Sequence, residues 1–287
     1  MIIIRIWEGL GNQMFQYAYA RALKEKGMDV RIDLNKAYDE TFEKYRNNAK
    51  RENHIQNFRI SLPSIDMDKF GKYGYLSKDT WLKRSIFCLQ KYSLWKYKFY
   101  EEQVQCYSDK SAGIKGNYYV KGWFQSEIYF KNIRNILLKE FIPKEKIRIS
   151  KKLHEALEDP KSVSLHVRRG DYVRVNIALD TIYYERAIDY IEKNYTKPIF
   201  IIFSDDLEWV KKNIHINGKC IFVNEDKKLK DYEELFIMSR CRTNIISNST
   251  FSWWAAWLNQ NEDKVVIAPR TWLKGQRKIV PDEWLVL

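Results

Sequence analysis

The stretch "SVSLHVRRGDYV" (162–173) joins a short β-rich run to a predicted loop, "RRGDYV", which carries two arginines and an aspartate. The run 162–167 predicts a buried strand, of the kind that forms a parallel sheet covered on both faces. Doubly wound sheets of this type bind ligands outside the carboxyl ends of their strands. Arg168, Arg169 and Asp171 therefore occupy the place where such a domain puts its binding site.

Strands and helices alternate through the rest of the C-terminal half. Further strands are predicted at 198–203, 220–223, 243–247 and 264–268. Helices are predicted at 181–194 with Asp180 as N-cap, after the "SDD" cap through Ile214, and at 231–241 and 249–259. This alternation is typical of a parallel sheet with helices on both faces. Polar clusters follow the strands again, as "SDD" (204–206) and "SNST" (247–250). Three clusters at one sheet edge predict a single site.

The N-terminal half repeats the pattern. "MIIIRIW" predicts a strand, not a signal peptide; "EGLGN" predicts a turn, and a helix from Gln13 is expected to stop at Gly27. "DVRIDL" (29–34) is a second strand, and the poorly patterned stretch 40–115 is expected to be helical. The fold class is therefore α/β, with two facing Rossmann-like domains. Their predicted bounds are 1–145 and 146–287.

The turn "GLGN" has two interpretations. Gly9 and Gly11 would let the backbone approach a ligand, and the helix that follows offers free N–H groups to an anion. Equally, it could be a tight turn without a ligand, since the third glycine of a dinucleotide fingerprint is missing.

Each of the other clusters also keeps a structural alternative. Arg168 has the planar fork that suits a phosphate, while Arg169 either does the same or pairs with Asp171. The pair Asp205 and Asp206 has three interpretations. It caps a helix, it binds a metal ion, or one of its carboxylates accepts hydrogen bonds from the N–H edge of a purine. His166 is either a buried core residue or a functional residue of the same sheet edge. Helix capping explains only part of "SNST".

Composition limits the classes of partner. The net charge of +13 would suit nucleic acid, an anionic membrane or a phosphorylated substrate. Eight basic residues, eight aromatics and one acid lie between Lys69 and Lys98. For this segment, the favoured interpretation is a solvated helical face. Contact with a membrane surface is the second interpretation, and binding of nucleic acid is the least favoured. Four dispersed cysteines and the absence of a long apolar run predict free thiols in the cytoplasm, and no transmembrane helix.

Five motifs together carry a resemblance that spans nearly the whole chain. They are "GLGNQMFQYAYARAL", "VKGWFQSEIYF", "HVRRGDYV", "FSDD" and "SNSTFSWWAAWL". In this order they resemble the bacterial α1,2-fucosyltransferases. The resemblance implies a GT-B fold and transfer of L-fucose from GDP-L-fucose to the 2-hydroxyl of a galactose. It also implies inversion, without a metal or another cofactor.

The resemblance further implies roles for individual residues. Arg168 would grip the β-phosphate of GDP, and His166 with Asp205 or Asp206 would read the guanine. The expected donor-binding set is Gly11, Asn12, His166, Arg168, Arg169, Asp205, Asp206, Asn248, Ser249, Thr250 and Phe251. The expected acceptor-side set is Gln13, Trp123 and Gln125.

Two departures from the family pattern concern the acceptor side. Glu8 stands where the family usually has a second glycine, and related protein fucosyltransferases use a glutamate near this turn as a base. Glu8 is thus a candidate base or a solvated loop acid. The loop after "RRGDYV" is shorter than in many members, which affects the acceptor type. Asp171 is the first candidate base and Glu8 the second.

The predicted function is α1,2-fucosylation of a galactose-terminated glycan, by a cytoplasmic enzyme that contacts the inner face of the membrane peripherally or not at all. Fucosyl transfer to another position, such as an α1,6 or protein O-linked site, is the nearest alternative. A non-catalytic protein that binds a GDP-sugar or a glycan is another, and nucleic acid is not an expected partner.

Overall fold

A computed structural model describes residues 1–34, 52–65, 98–225, 228–272 and 279–287. The chain divides into two compact units, Met1–Phe141 and Ile142–Leu287. The predicted membrane-contact segment, Lys69 to Lys98, lies outside the described residues except for Lys98. Within the described ranges, no helix combines the length and apolar character needed to cross a bilayer. Three cysteines there are free thiols, Cys106, Cys220 and Cys241.

The first unit is built on a parallel sheet with the strand order β3-β2-β1-β5-β4 in its described part. The strands are β1 Ile2–Arg5, β2 Val30–Asp33, β3 Ser64–Ile65, β4 Lys98–Glu101 and β5 Tyr118–Lys121. The helices are α1 Leu10–Glu25, α2 Asp109–Ala112 and α3 Arg134–Glu140, with 3₁₀ turns at His54–Asn57, Glu127–Tyr129 and Lys131–Ile133. The predicted α/β class therefore holds for this unit.

Helix α1 begins three residues before the predicted start at Gln13. The Gly9 carbonyl accepts hydrogen bonds from the Asn12 and Gln13 N–H groups at 2.9 and 3.1 Å, which makes "LGN" the first helical turn. The predicted stop is confirmed, because Gly27 follows the helix with a φ of +84° that only glycine adopts without strain.

The helical prediction for 40–115 is wrong for much of its described part. Strands β3 and β4 lie there, and α2 is a single turn. Strand β4 is a half-exposed edge strand that pairs only with β5 in the described part of the sheet. Its sequence "KFYE" lacks the continuous apolar run of the central strands, so the sequence pattern did not reveal it.

The second unit has a parallel sheet in the order β11-β10-β9-β6-β7-β8. Its strands are β6 Ser162–Val167, β7 Ile199–Ser204, β8 Lys219–Phe222, β9 Thr243–Ile245, β10 Val266–Ala268 and β11 Leu285–Val286. Its helices are α4 Lys151–Glu158, α5 Gly170–Arg174, α6 Thr181–Asn194, α7 Leu207–Asn213, α8 Asp231–Arg240 and α9 Thr250–Leu258. All five predicted strands are present, and β11 is additional.

Strand β6 is central, and each of its six residues is buried. Asp180 caps α6 by accepting a hydrogen bond from the Tyr183 N–H, as predicted. The segment predicted as a loop, "RRGDYV", instead contains the short helix α5. This helix forms because the Val173 N–H donates to the Arg169 carbonyl at 2.7 Å and closes a turn.

Candidate functional site

The carboxyl ends of three neighbouring strands meet at one edge of the second sheet. His166 of β6 pairs with Phe203 of β7, and Leu165 pairs with Ile245 of β9. The chain runs from β6 outward through β7 and β8 and then returns to β9 on the other side of β6. The gap between β6 and β9 is thus the topological switch point, where doubly wound sheets bind ligands.

Arg168 follows β6 at this same edge of the sheet, with its guanidinium group held by two carboxylates. Its Nε and Nη2 donate to Asp171 Oδ1 at 3.1 and 2.7 Å, and Nη1 lies 2.9 Å from Asp205 Oδ2. These bonds engage three of the five guanidinium N–H groups. One N–H group remains on Nη1 and one on Nη2. Burial alone would lower the pKa of Arg168, but Asp205 and Asp171 raise it above its ordinary value. The fork is permanently charged and fixed in direction.

Arg169 is held differently from Arg168. Its guanidinium carbon lies 3.6 Å from the centre of the Trp209 ring, and Nε donates to Asp206 Oδ2 at 3.4 Å. The predicted pairing of Arg169 with Asp171 is wrong. Asp171 lies in the first turn of α5, which places it beside Arg168 in an i, i+3 pair. Arg169 therefore packs the turn against α7.

The adjacent aspartates divide their roles in the same way. Asp206 caps α7 by accepting a hydrogen bond from the Trp209 N–H at 3.1 Å, which confirms the capping interpretation for this residue. Asp205 accepts from the Arg169 N–H at 2.8 Å while it binds Arg168. No set of three or more His, Cys, Asp or Glu side chains in the described ranges could hold a metal ion. Recognition of a purine edge by this pair stays a prediction.

His166 is buried at the end of β6, with 5% of its surface exposed. Its Nδ1 lies 3.0 Å from Ser247 Oγ, and its ring centre is 5.5 Å from that of Phe251. Burial, and then the Arg168 charge, lower the pKa of His166 to about 3. The imidazole is therefore neutral near pH 7.

The "SNST" cluster performs several structural tasks. Ser249 caps α9 by accepting a hydrogen bond from the Phe251 N–H at 3.4 Å, and Thr250 is the first helical residue. Asn248 Nδ2 donates to the Ile177 carbonyl at 2.8 Å, which fixes the loop after α5. The start of α9, where a helix presents the N–H groups of its first turn, thus lies at the same edge as Arg168.

In the first unit, Glu8 follows β1 in a strained conformation. Its φ is +70°, and only 3% of its surface is exposed. The interpretation of Glu8 as a solvated loop acid is therefore wrong. Gln13 is fully buried, and its Nε2 donates to the carbonyls of Glu8 and Glu52, both at 2.7 Å. In this structure Gln13 holds the Glu8 turn in place.

The other site residues predicted in the first unit lie near the ends of β1 and β5. Gln125 Nε2 donates to Asn12 Oδ1 at 2.8 Å, and the rings of Trp123 and Trp7 lie 4.6 Å apart. Gln16, which was not predicted, accepts a hydrogen bond from the Trp7 N–H at 2.8 Å. Gly11 is buried in the first turn of α1 and does not lie in the turn before the helix; its contact with the donor stays a prediction.

These features have a counterpart in known proteins. The sequence model of glycosyl transferase family 11 matches residues 1–285. The chain belongs to glycosyl transferase family 11. The resemblance inferred from the five motifs is thereby confirmed, and the protein is a glycosyltransferase.

The family 11 relatives include proteins of similar length. The O-antigen biosynthesis glycosyltransferase WbnK of Escherichia coli is 32% identical over 301 residues, which cover 97% of this chain and 98% of the relative. An alpha-1,2-colitosyltransferase of Escherichia coli is 30% identical over 303 residues, with 99% and 98% covered. The mouse galactoside 2-alpha-L-fucosyltransferase Sec1 is 28% identical, with 90% of this chain and 64% of the relative covered.

Among solved structures, the fucosyltransferase NodZ from Bradyrhizobium aligns with this family 11 chain at a TM-score of 0.46 and 15% identity. The alignment covers 88% of this chain and 91% of NodZ.

Two residues of the candidate site in the second unit escaped the sequence analysis. Trp209 was a helical residue without any signal that Arg169 would stack on it. Glu234, in the first turn of α8, accepts a hydrogen bond from Asn224 Nδ2 at 2.6 Å. Burial is the main cause that raises the pKa of Glu234 to about 7, and the negative charge of Asp205 acts in the same direction. Only the fold brings these groups to the edge.

Gly170 provides a test of the Arg168 and Asp205 contact. A Cβ at this position would lie 2.6 Å from Asp205 Oδ2, so Gly170→Ala must displace the carboxylate. We expect the free energy of unfolding to fall by about 1–3 kcal/mol, because bonds to Arg168 and the Arg169 N–H are lost. Chemical denaturation measures it. In an Asp205→Ala background the same substitution is expected to cost little, and an equal cost there would contradict the contact.

Proposed function

We propose that this glycosyltransferase moves L-fucose from GDP-L-fucose to the 2-hydroxyl of a galactose residue in a glycan, with inversion at the anomeric carbon. Membership of family 11 and the two relatives named for α1,2 or 2-α transfer support this. The observation that carries the proposal is the Arg168 fork, held by two carboxylates at the carboxyl edge of the sheet in the second unit. Its two remaining N–H groups suit two oxygens of a β-phosphate.

In the reaction, the bond between the fucose C1 and the β-phosphate oxygen breaks, and GDP leaves with the electron pair. The acceptor 2-hydroxyl oxygen bonds to C1 as its proton passes to a carboxylate. Charge grows on the phosphate, so Arg168 and the first N–H groups of α9, beside Ser249 and Thr250, stabilise the transition state more than the substrate. His166, with Asp205 or Asp206, contacts the guanine.

Glu8 is the carboxylate that we assign as proton acceptor. Asp171, the first candidate from the sequence, has its Oδ1 engaged by two Arg168 N–H groups, so that oxygen is already occupied. Glu8 is held at a strained turn by Gln13, as expected of a residue positioned for function. Trp123 and Gln125 lie on the acceptor side, and no metal takes part. Peripheral contact with a membrane through residues 69–98 rests on the sequence alone.

The first test measures GDP release from GDP-L-fucose in EDTA, with and without lactose, and identifies the product. We expect lactose-dependent release and 2′-fucosyllactose, with rates unchanged when Mg²⁺ replaces EDTA. GDP-colitose is the second donor to try, because one relative is named as a colitosyltransferase.

Each other outcome has a definite meaning. Product with a different linkage, or release only with another acceptor, would contradict α1,2 transfer to galactose while leaving the enzyme class intact. Tight GDP binding without transfer to any acceptor would favour a binding protein. Loss of activity in EDTA that Mg²⁺ restores would contradict the metal-free mechanism.

A further inference from the structure

His166 and Ser247 face each other across the switch point. His166 ends β6, while Ser247 follows the neighbouring strand β9 and is fully buried. Ser247 Oγ lies 3.0 Å from His166 Nδ1, a normal hydrogen-bond distance. This contact joins the two strand ends between which the donor is proposed to bind.

The surroundings decide which atom donates. Ser247 Oγ has a second neighbour, Ser252 Oγ, but at 3.5 Å, the limit for a hydrogen bond. The Ser252 hydroxyl has its own acceptor in the Ser249 carbonyl at 3.4 Å. The nearest acceptor for the Ser247 proton is therefore His166 Nδ1. In a neutral imidazole whose Nδ1 accepts, the ring proton is on Nε2.

The protonation state agrees with this assignment. Burial and the nearby Arg168 charge lower the pKa of His166 to about 3, so the ring carries a single proton at neutral pH. A ring in this state is a poor proton shuttle at pH 7. It is well suited to donate one fixed hydrogen bond from Nε2.

We propose that Ser247 is a positioning residue, which holds His166 in the Nε2–H tautomer so that the ring donates a hydrogen bond to an acceptor atom of GDP. Guanine O6 and N7 and the phosphate oxygens are acceptors of this kind. The identity of the ligand rests on the proposed function, whereas the tautomer does not. The contact therefore makes a prediction that needs no activity.

The test is nuclear magnetic resonance of protein labelled with ¹⁵N-histidine, which reports the protonation of each ring nitrogen. The chain has four histidines, so the spectrum is simple. The His166 signals are those missing in His166→Gln, and they should show no titration between pH 8 and pH 5. We expect Nε2–H in the wild type, a larger share of Nδ1–H in Ser247→Ala, and the wild-type pattern in Ser247→Thr.

Ser249→Ala is the matched control, because it removes a hydroxyl from the same segment but not the one that bonds His166. It should leave the His166 tautomer unchanged. GDP should bind about 3- to 10-fold more weakly to Ser247→Ala, the equivalent of one hydrogen bond, with affinity restored by threonine.

An Nδ1–H tautomer in the wild type would overturn the proposal even if Ser247→Ala did not fold. An unchanged tautomer in a folded Ser247→Ala protein would overturn it equally. If GDP binds but neither shifts the His166 signals nor depends on Ser247, the ligand contact is wrong. Failure of the wild type to bind GDP would contradict the proposed function and leave the tautomer assignment standing.

Discussion

Arg168→Ala is expected to lower kcat for sugar transfer by about a thousandfold. Removal of one preorganised donor to a developing anion typically costs 10²- to 10³-fold. Arg168 would supply two such N–H groups from one fork. Arg168→Lys keeps the charge but not the planar fork, so it should recover only a small part of the rate. Initial rates of GDP release, with GDP affinity measured in parallel, separate kcat from donor binding.

Two controls separate chemistry from folding in that experiment. Arg168→Ala leaves Asp171 and Asp205 without their partner, so its melting temperature must be compared with the wild type. Arg240→Ala removes an arginine from the same unit, where Arg240 bonds Glu158 at 2.7 Å just before β9 begins. It should retain wild-type kcat. A folded Arg168→Ala enzyme with kcat within threefold of wild type would exclude Arg168 from stabilising the leaving group.

The sequence predicted the central strands and the ends of several helices well, because these features are decided by residues that are close together in the chain. Strand β6 and its polar continuation are adjacent in the chain, and parallel strands bring their carboxyl ends to one edge. The Asp180 cap and the Gly27 stop are likewise decided within one helical turn. The class of fold, and the sheet edge at which Arg168 and its neighbours gather, follow from such signals.

Side-chain partners across the edge were beyond that reasoning. Whether Arg169 met Asp171 or Trp209 depended on the start of α5, which one extra turn of helix decided. Gln13 was expected on the acceptor side, yet its amide is consumed by the Glu8 and Glu52 carbonyls, the second of which is 39 residues away. Edge strand β4 lacked a pattern altogether. Contacts of this kind depend on the assembled fold and cannot be derived from spacing.

Substitution of Glu8 is expected to have the second large effect. Loss of the carboxylate should lower kcat, whereas relief of the backbone strain should raise the stability of the protein. Glu8→Gln keeps the size of the side chain but cannot accept the proton, so kcat should fall by about 10²- to 10⁴-fold with little change in KM for the donor. Asp171→Asn is the comparison, because it removes the other candidate base. If Asp171→Asn abolishes transfer while Glu8→Gln does not, the base assignment is reversed.

Glu8→Gly removes both the carboxylate and the backbone strain, whereas Glu8→Gln removes only the carboxylate. Comparison of the two variants therefore separates the two effects. A non-glycine residue at a φ of +70° costs of order 1–3 kcal/mol, and glycine adopts this conformation freely. The variant should therefore be more stable by up to about 1 kcal/mol, once the lost packing and the extra freedom of the unfolded chain are subtracted. It should also be as inactive as Glu8→Gln. Thermal unfolding and kcat measured on the same samples check both parts. A stabilised variant that kept its activity would mean that the Glu8 carboxylate does not accept the proton, since glycine has no carboxylate to take it.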